Sequence, residues 1–203
     1  MSLVNYATRE ITCKIVYYGA GRSGKTTNLQ YIHSRVPDDR KGKMVSLATE
    51  TDRTLFFDFL PLDLGKISGF RVRIQLYTVP GQIYYDSTRR LVLQGADGVV
   101  FVADSQIDRA GENLESFRNL QENLLGQGVD PRSLPLCVQF NKRDMPDASP
   151  RAELESTLNY RGHRSYEASA IAGIGVLETL RGISELVLHD LSRRLQRPQT
   201  IVS

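Results

Sequence analysis

Apolar positions along the chain alternate between two periods. Short runs that read as strands occupy 11–18, 55–62, 70–79, 97–103, 134–140 and 164–168, and helical spacing fills much of what lies between. Leu114, Phe117, Leu120 and Leu124 place one apolar stripe on a helix, and Leu177, Leu180, Ile183, Val187 and Leu191 place another. Residues 63–69, Asp-Leu-Gly-Lys-Ile-Ser-Gly, suit a hairpin, so the second and third strands are predicted to be antiparallel. The remaining strands are predicted to run parallel to the first through helical crossovers. The pattern therefore predicts an α/β fold: a mixed, mostly parallel six-stranded sheet with helices on both faces. Within the second strand the alternation is expected to turn Phe57 and Phe59 toward the core and Phe56 and Asp58 to the other side. Phe56 would then mark either an effector or activator patch or a strip under helical cover.

With 203 residues and 40% hydrophobic content, the chain can bury one sizeable core, and the expected organisation is a single domain over 1–195 with a short tail, 196–203. The formal net charge of +3 is spread along the chain, which argues against a nucleic-acid partner. Arg193, Arg194 and Arg197 are too few to hold a membrane unaided. Cys13 and Cys137 fall in predicted core strands and read as buried thiols, and His33, His163 and His189 lack metal-ligand spacing. No secretory signal or spanning segment is legible, and the last residues, Thr200-Ile201-Val202-Ser203, hold no prenylation cysteine. The expected location is cytoplasmic, without a direct lipid anchor, and any recruitment to a cell pole would come through partners.

The chemistry enters at Gly19 to Thr26, Gly-Ala-Gly-Arg-Ser-Gly-Lys-Thr, lodged between the first strand and a helix that continues through 27–32. Such a loop curls its backbone N–H groups around phosphates, with Lys25 reaching the outer ones and the Thr26 hydroxyl free to ligate Mg2+. Gly21 lies inside the curl, where a side chain would intrude on a terminal phosphate. The candidate phosphate contacts are Gly19, Gly21, Arg22, Ser23, Gly24, Lys25, Thr26 and Thr27, Arg22 being either a contact or a solvated cation.

Asn141-Lys142-Arg143-Asp144 follows the run 134–140 directly, at the carboxyl end of a strand where nucleotide-binding sheets hold ligands. A carboxylate at Asp144 can accept from both the ring N–H and the exocyclic amine of guanine, which adenine cannot match. Discrimination on the order of ten-thousandfold is expected when such an acceptor would be left unpaired. Asn141 would hold the ring edge and brace the loop, the Lys142 stem would cover the base, and the small residues Ser169 and Ala170 would let the Ala170 N–H approach the guanine carbonyl.

These motifs, with Thr78-Val-Pro-Gly-Gln82 between them, occur in the order found in Ras-like small GTPases, which the chain resembles. It is most similar to the bacterial MglA subfamily through Lys-Ile-Val-Tyr-Tyr-Gly at Lys14, Val-Ser-Leu-Ala-Thr-Glu at Val45, Arg-Thr-Leu-Phe-Phe-Asp-Phe-Leu-Pro-Leu-Asp at Arg53 and Leu-Tyr-Thr-Val-Pro-Gly-Gln at Leu76. The resemblance implies a P-loop NTPase fold of the Ras-like kind and a GTP/GDP switch that hydrolyses GTP slowly with Mg2+. It also implies a roadblock-type, MglB-like activator and downstream polarity or motility effectors. Gly81 would sense the terminal phosphate, Gln82 would orient the attacking water, and Arg53 would act as an arginine finger in cis, a contribution of roughly a thousandfold or more. Thr54 is the hydroxyl the resemblance assigns to the metal beside Thr26, with Thr49 and Thr51 as rivals. Thr78 replaces the carboxylate most Ras-like proteins carry there, leaving less charge for the ion. A GTP-binding scaffold without hydrolysis and a P-loop kinase or ATPase are the other classes compatible with the phosphate loop.

Overall fold

The computed structural model describes residues 3–48, 56–67 and 69–196. The sheet is built from β1 (Leu3–Asn5), β2 (Glu10–Tyr18), β3 (Val45–Ala48), β4 (Phe56–Ile67), β5 (Phe70–Thr78), β6 (Gly98–Asp104), β7 (Leu136–Asn141) and β8 (Arg164–Glu167). Its order is β3-β4-β5-β2-β6-β7-β8, with β1 antiparallel to the start of β2. β2 pairs in parallel with β5 and β6, β6 with β7, and β7 with β8, whereas β4 is antiparallel to both β3 and β5. The antiparallel hairpin and the parallel remainder match the expectation.

Among the described residues, eight strands form the sheet where the periodicity predicts six. The two additions, β1 and β3, span three and four residues, and each is made by antiparallel pairing with its neighbour, β2 or β4. The hairpin connection is also shorter than expected, because β4 continues through Ile67. A bulge between Asp63 and Gly65 absorbs the misfit, with Gly65 at φ 80 and its N–H donating to Asp63 Oδ1 at 2.8 Å.

Helices α1 (Lys25–Arg35) and α5 (Val176–Gln196) cover one face, and α2 (Asp86–Leu93), α3 (Ala110–Gly126) and α4 (Arg151–Leu158) the other. The alternation of β2 serves both cores: Cys13, Ile15 and Tyr17 pack with Leu29, Ile32, Ile183 and Val187, while Val16 and Tyr18 pack with Phe101, Phe117 and Leu120. The predicted stripe on α5 holds from Leu180 to Leu191, but Leu177 is 40% exposed, because in the first turn it is the neighbouring Val176 that faces the core. None of the described helices is long and apolar enough to cross a membrane.

The parity of β4 is the reverse of the expectation. Asp58, Leu60 and Leu62 face inward, and Phe57 and Phe59 lie half-buried on the other face around the Tyr77 ring. Polar pairing decides this register: the Asp58 N–H donates to Thr78 Oγ1 at 2.8 Å, which locks a carboxylate onto the α1 side. The Phe56 side chain lies outside the described residues, and with it the patch assigned to it.

Phe101 is fully buried and meets Phe117 edge to face, ring centroids 4.8 Å apart. Phe101→Ala is expected to cost about 3–5 kcal/mol of unfolding free energy, read as a lower denaturant midpoint with unchanged slope. A loss below about 1 kcal/mol would mean that the α3 face is not the packed core described.

Candidate functional site

The carboxyl ends of β2, β5, β6 and β7 meet at two adjoining clefts. One, of about 350 Å³, is lined by Gly21, Arg22, Gly24, Lys25, Thr26, Thr27 and Thr78 to Gln82. The other, of about 250 Å³, is lined by Arg22, Gly24, Thr27, Gln106, Asn141, Lys142, Asp144, Met145, Ala170 and Ile171. Arg22, Gly24 and Thr27 line both, so the phosphate loop separates and joins them. A larger cleft of about 710 Å³ lies at the opposite end of the sheet between the starts of β7 and β8 and α5. It holds none of the motif residues, and its Arg164 and Arg194 are paired with Glu185 and Asp190.

The loop between β2 and α1 takes its shape from glycine. Gly19 and Gly24 adopt φ 147 and 99, and a Cβ there would meet the Val102 carbonyl and the Asn141 amide, each at 2.2 Å. Arg22 is held at φ 62 and Lys142 at φ 63, so two non-glycine residues in left-handed backbone sit at the clefts. Among the described residues, a Cβ at Gly21 would meet nothing nearer than the Gly81 carbonyl carbon at 3.8 Å, so none of them excludes a side chain there. At Gly81 it would meet Gly21 Cα at 2.4 Å, so the two loop backbones are in direct contact.

Lys25 is buried at the start of α1, its Nζ donating to the Gly19 and Ala20 carbonyls at 3.0 and 2.6 Å. Burial, reinforced by the Arg89 guanidinium and partly offset by Asp58, lowers its pKa from 10.5 to about 7. Arg89 on α2 is itself fully buried over the Tyr18 ring, 4.4 Å to its centroid, and donates to Ser116 Oγ at 2.7 Å.

Sequence reasoning missed Asp58. Its Oδ2 accepts from Thr26 Oγ1 at 2.6 Å and Thr78 Oγ1 at 3.0 Å, and its Oδ1 accepts from Ser46 Oγ at 2.8 Å. A carboxylate thus reaches the Thr26 and Thr78 hydroxyls from across the hairpin, and Thr78 binds both the oxygen and the backbone N–H of Asp58. The signal was an acidic residue sharing strand parity with Leu60 and Leu62.

At the second cleft, Asn141 braces the loops as expected. Its Nδ2 donates to the Ser23 carbonyl at 2.8 Å, and its Oδ1 accepts from the Ala170 N–H at 2.9 Å. The Ala170 N–H, expected to face a guanine carbonyl, is thus engaged by Asn141. Lys142 Nζ contacts Asp104 Oδ2 at 2.5 Å, Ser169 is buried, and Asp144 is exposed on the cleft wall. Gln82 is exposed at the rim of the first cleft. Arg53 and Thr54, with the rivals Thr49 and Thr51, lie outside the described residues.

No family model matches the chain. It is 56% identical over 193 residues to mutual gliding-motility protein MglA of Myxococcus xanthus, covering 95% of this chain and 99% of that protein. It is 28% identical to the Ypt/Rab-type GTPase ypt71 of Schizosaccharomyces pombe, over 93% of this chain and 87% of the relative. ADP-ribosylation factor-like protein 6 of Caenorhabditis briggsae is 26% identical, over 89% of both chains.

The depressed Lys25 fixes a sign for pH dependence. Between about pH 7 and 10.5 the unfolded chain binds the proton that the folded chain has released, so stability rises with pH in that window. The buried thiols Cys13 and Cys137, raised to about 12, oppose the trend above about pH 9, where the unfolded thiols ionise. Nucleotide-free protein is expected to gain up to about 1.4 kcal/mol per pH unit between about pH 7 and 8.5 in urea unfolding, and Lys25→Met to lose that slope. Equal slopes in the two proteins would contradict the burial of this ammonium.

Proposed function

The chain belongs to the MglA family of Ras-like small GTPases and is a GTPase; from that premise we propose a GTP/GDP switch of cell polarity and motility, accelerated by a roadblock-type, MglB-like activator. The observation that carries this reading is the junction of the phosphate loop, the 78–82 segment and the 141–144 loop at two clefts that share Arg22, Gly24 and Thr27. We assign the triphosphate to the first cleft and the guanine to the second. The protein would work in the cytoplasm as one G domain over 1–195, reach a cell pole through partners, and present its effectors with a nucleotide-dependent surface.

In this reading, the Gly19–Thr27 backbone and Lys25 cradle the phosphates, Asp144 accepts from the guanine edge, and Lys142 covers the base. Gly81, in backbone contact with Gly21, must move when a terminal phosphate enters, which makes the 78–82 segment the sensor. For hydrolysis, Gln82 holds a water in line with the γ-phosphorus. The water oxygen bonds to phosphorus, the bridge to the β-phosphate breaks, GDP leaves and the water proton ends on the released phosphate. Arg53 covers the charge that develops on the bridge. Because Gln82 sits on an exposed rim, a partner that fixes it would raise the rate.

A magnesium ion, when bound, supplies positive charge to the outer phosphate oxygens. The donor set fits it: the Thr26 hydroxyl and the Asp58 carboxylate, hard oxygens, already lie 2.6 Å apart, and we add Asp58 to Thr26 and Thr54 as the residues that hold the ion directly or through water.

Two measurements test this reading. In single-turnover phosphate release, the isolated protein is expected to hold GTP for minutes, and Arg53→Ala or Gln82→Ala to slow activator-stimulated hydrolysis by roughly a hundredfold or more; a fast intrinsic rate unaffected by either change would refute the assignment. Asp58→Asn is expected to raise the free Mg2+ needed for GDP retention by roughly tenfold. Retention at the wild-type Mg2+ level would remove Asp58 from the metal site.

A further inference from the structure

Gln139 is a polar residue at the middle of β7, a strand buried at every position, where an α/β core ordinarily carries aliphatic side chains. Burying a primary amide there costs free energy unless its hydrogen bonds are met. They are met by one partner on each side. Gln139 Oε1 accepts from Asn28 Nδ2 at 2.9 Å, and Gln139 Nε2 donates back to Asn28 Oδ1 at 3.0 Å, a closed reciprocal amide pair. The second Nε2 hydrogen goes to Thr179 Oγ1 at 2.9 Å, and the second Nδ2 hydrogen to the Gly24 carbonyl at 2.9 Å. The Thr179 hydroxyl donates in turn to the Gly175 carbonyl at 2.6 Å. Asn28, Gln139 and Thr179 are all fully buried, and every amide hydrogen has an acceptor.

The ends of this chain of bonds lie at the nucleotide clefts. Gly24 belongs to the phosphate loop, and Gly175 closes the loop that carries Ser169 and Ala170. Two residues on from Gln139, and therefore on the same face of β7, Asn141 makes the first bridge between those loops through Ser23 and Ala170. The Asn28–Gln139–Thr179 row runs beneath it as a second bridge, tied to backbone at both ends.

We infer that Asn28 and Gln139 are positioning residues that hold the phosphate and base loops in register and thereby set how slowly the protein releases GDP. The inference rests on the guanine-nucleotide reading above. Neither side chain touches the nucleotide; both act through Gly24 and, by way of Thr179, through Gly175. A purely structural role would lose its effect when both polar partners are replaced together by apolar groups of similar size, since no buried amide is then left unpaired. A positioning role would not, because aliphatic packing does not fix the loops in the same way.

The test uses the full chain loaded with a fluorescent GDP analogue and chased with excess GDP, alongside thermal melting. Asn28→Leu and Gln139→Met are each expected to lower the melting temperature by roughly 5 °C, each leaving buried amide groups unmatched. The double variant is expected to recover most of that loss and still release the analogue roughly tenfold faster than wild type. A double variant that releases it at the wild-type rate overturns the inference. Thr179→Val, which cuts the link to α5 and leaves the amide pair intact, covers the case in which the double variant does not fold. Faster release from it with the melting temperature unchanged from wild type supports the inference; an unchanged rate, or faster release that only accompanies a lower melting temperature, overturns it. Wild-type chain that fails to retain the analogue at all refutes guanine-nucleotide binding itself, a result distinct from wild-type release by the variants.

Discussion

One buried amide holds the site together. Asn141, at the last position of β7, donates to the phosphate loop at Ser23 and accepts from the base loop at Ala170, so the two halves of the pocket share a single side chain. Gly24 is glycine for a matching reason: it lies so close to that amide that a Cβ would overlap it at 2.2 Å. Local turn chemistry can shape each loop alone. The distance between them depends on Asn141 and on the sheet that carries it, with β2, β6 and β7 in parallel register.

A second constraint acts along the hairpin. Asp58 gathers the hydroxyls of Thr26, Thr78 and Ser46, and so ties α1, β5 and β3 to β4. A carboxylate surrounded by three hydroxyl donors is satisfied without an ion pair, and it remains able to accept a cation if the hydroxyls turn. That gives the β3–β4 pair a polar anchor whose partners are exchangeable, which apolar packing would not provide.

The features legible in the sequence were those in which a residue's own backbone or parity carries the information. Gly19 and Gly24 announce left-handed turns, the run before Asn141 announces a strand end, and the α3 and α5 stripes announce their buried faces. Asp58 was missed although it shares parity with Leu60 and Leu62, because the parity alone does not say which face β4 presents, and that face follows from pairing with Thr78, twenty residues away. Turning Phe57 and Phe59 inward would have left Asp58 on the outer side, and its hydrogen bonds to Thr78 and Thr26 set the opposite parity. β1 and β3 escaped because each is a short addition made by antiparallel pairing with a neighbouring strand, which its own residues do not announce. Gln139 pairs with Asn28 over 111 positions, and an isolated Gln within an apolar run gives no hint of its partner.

The measurement that bears most directly on the account is titration calorimetry of nucleotide-free protein with GDP and with ADP in the same Mg2+ buffer. On the proposed assignment, with Asp144 reading the purine edge, GDP is expected to bind on the order of ten-thousandfold more tightly than ADP. ADP binding within about tenfold of GDP would contradict it.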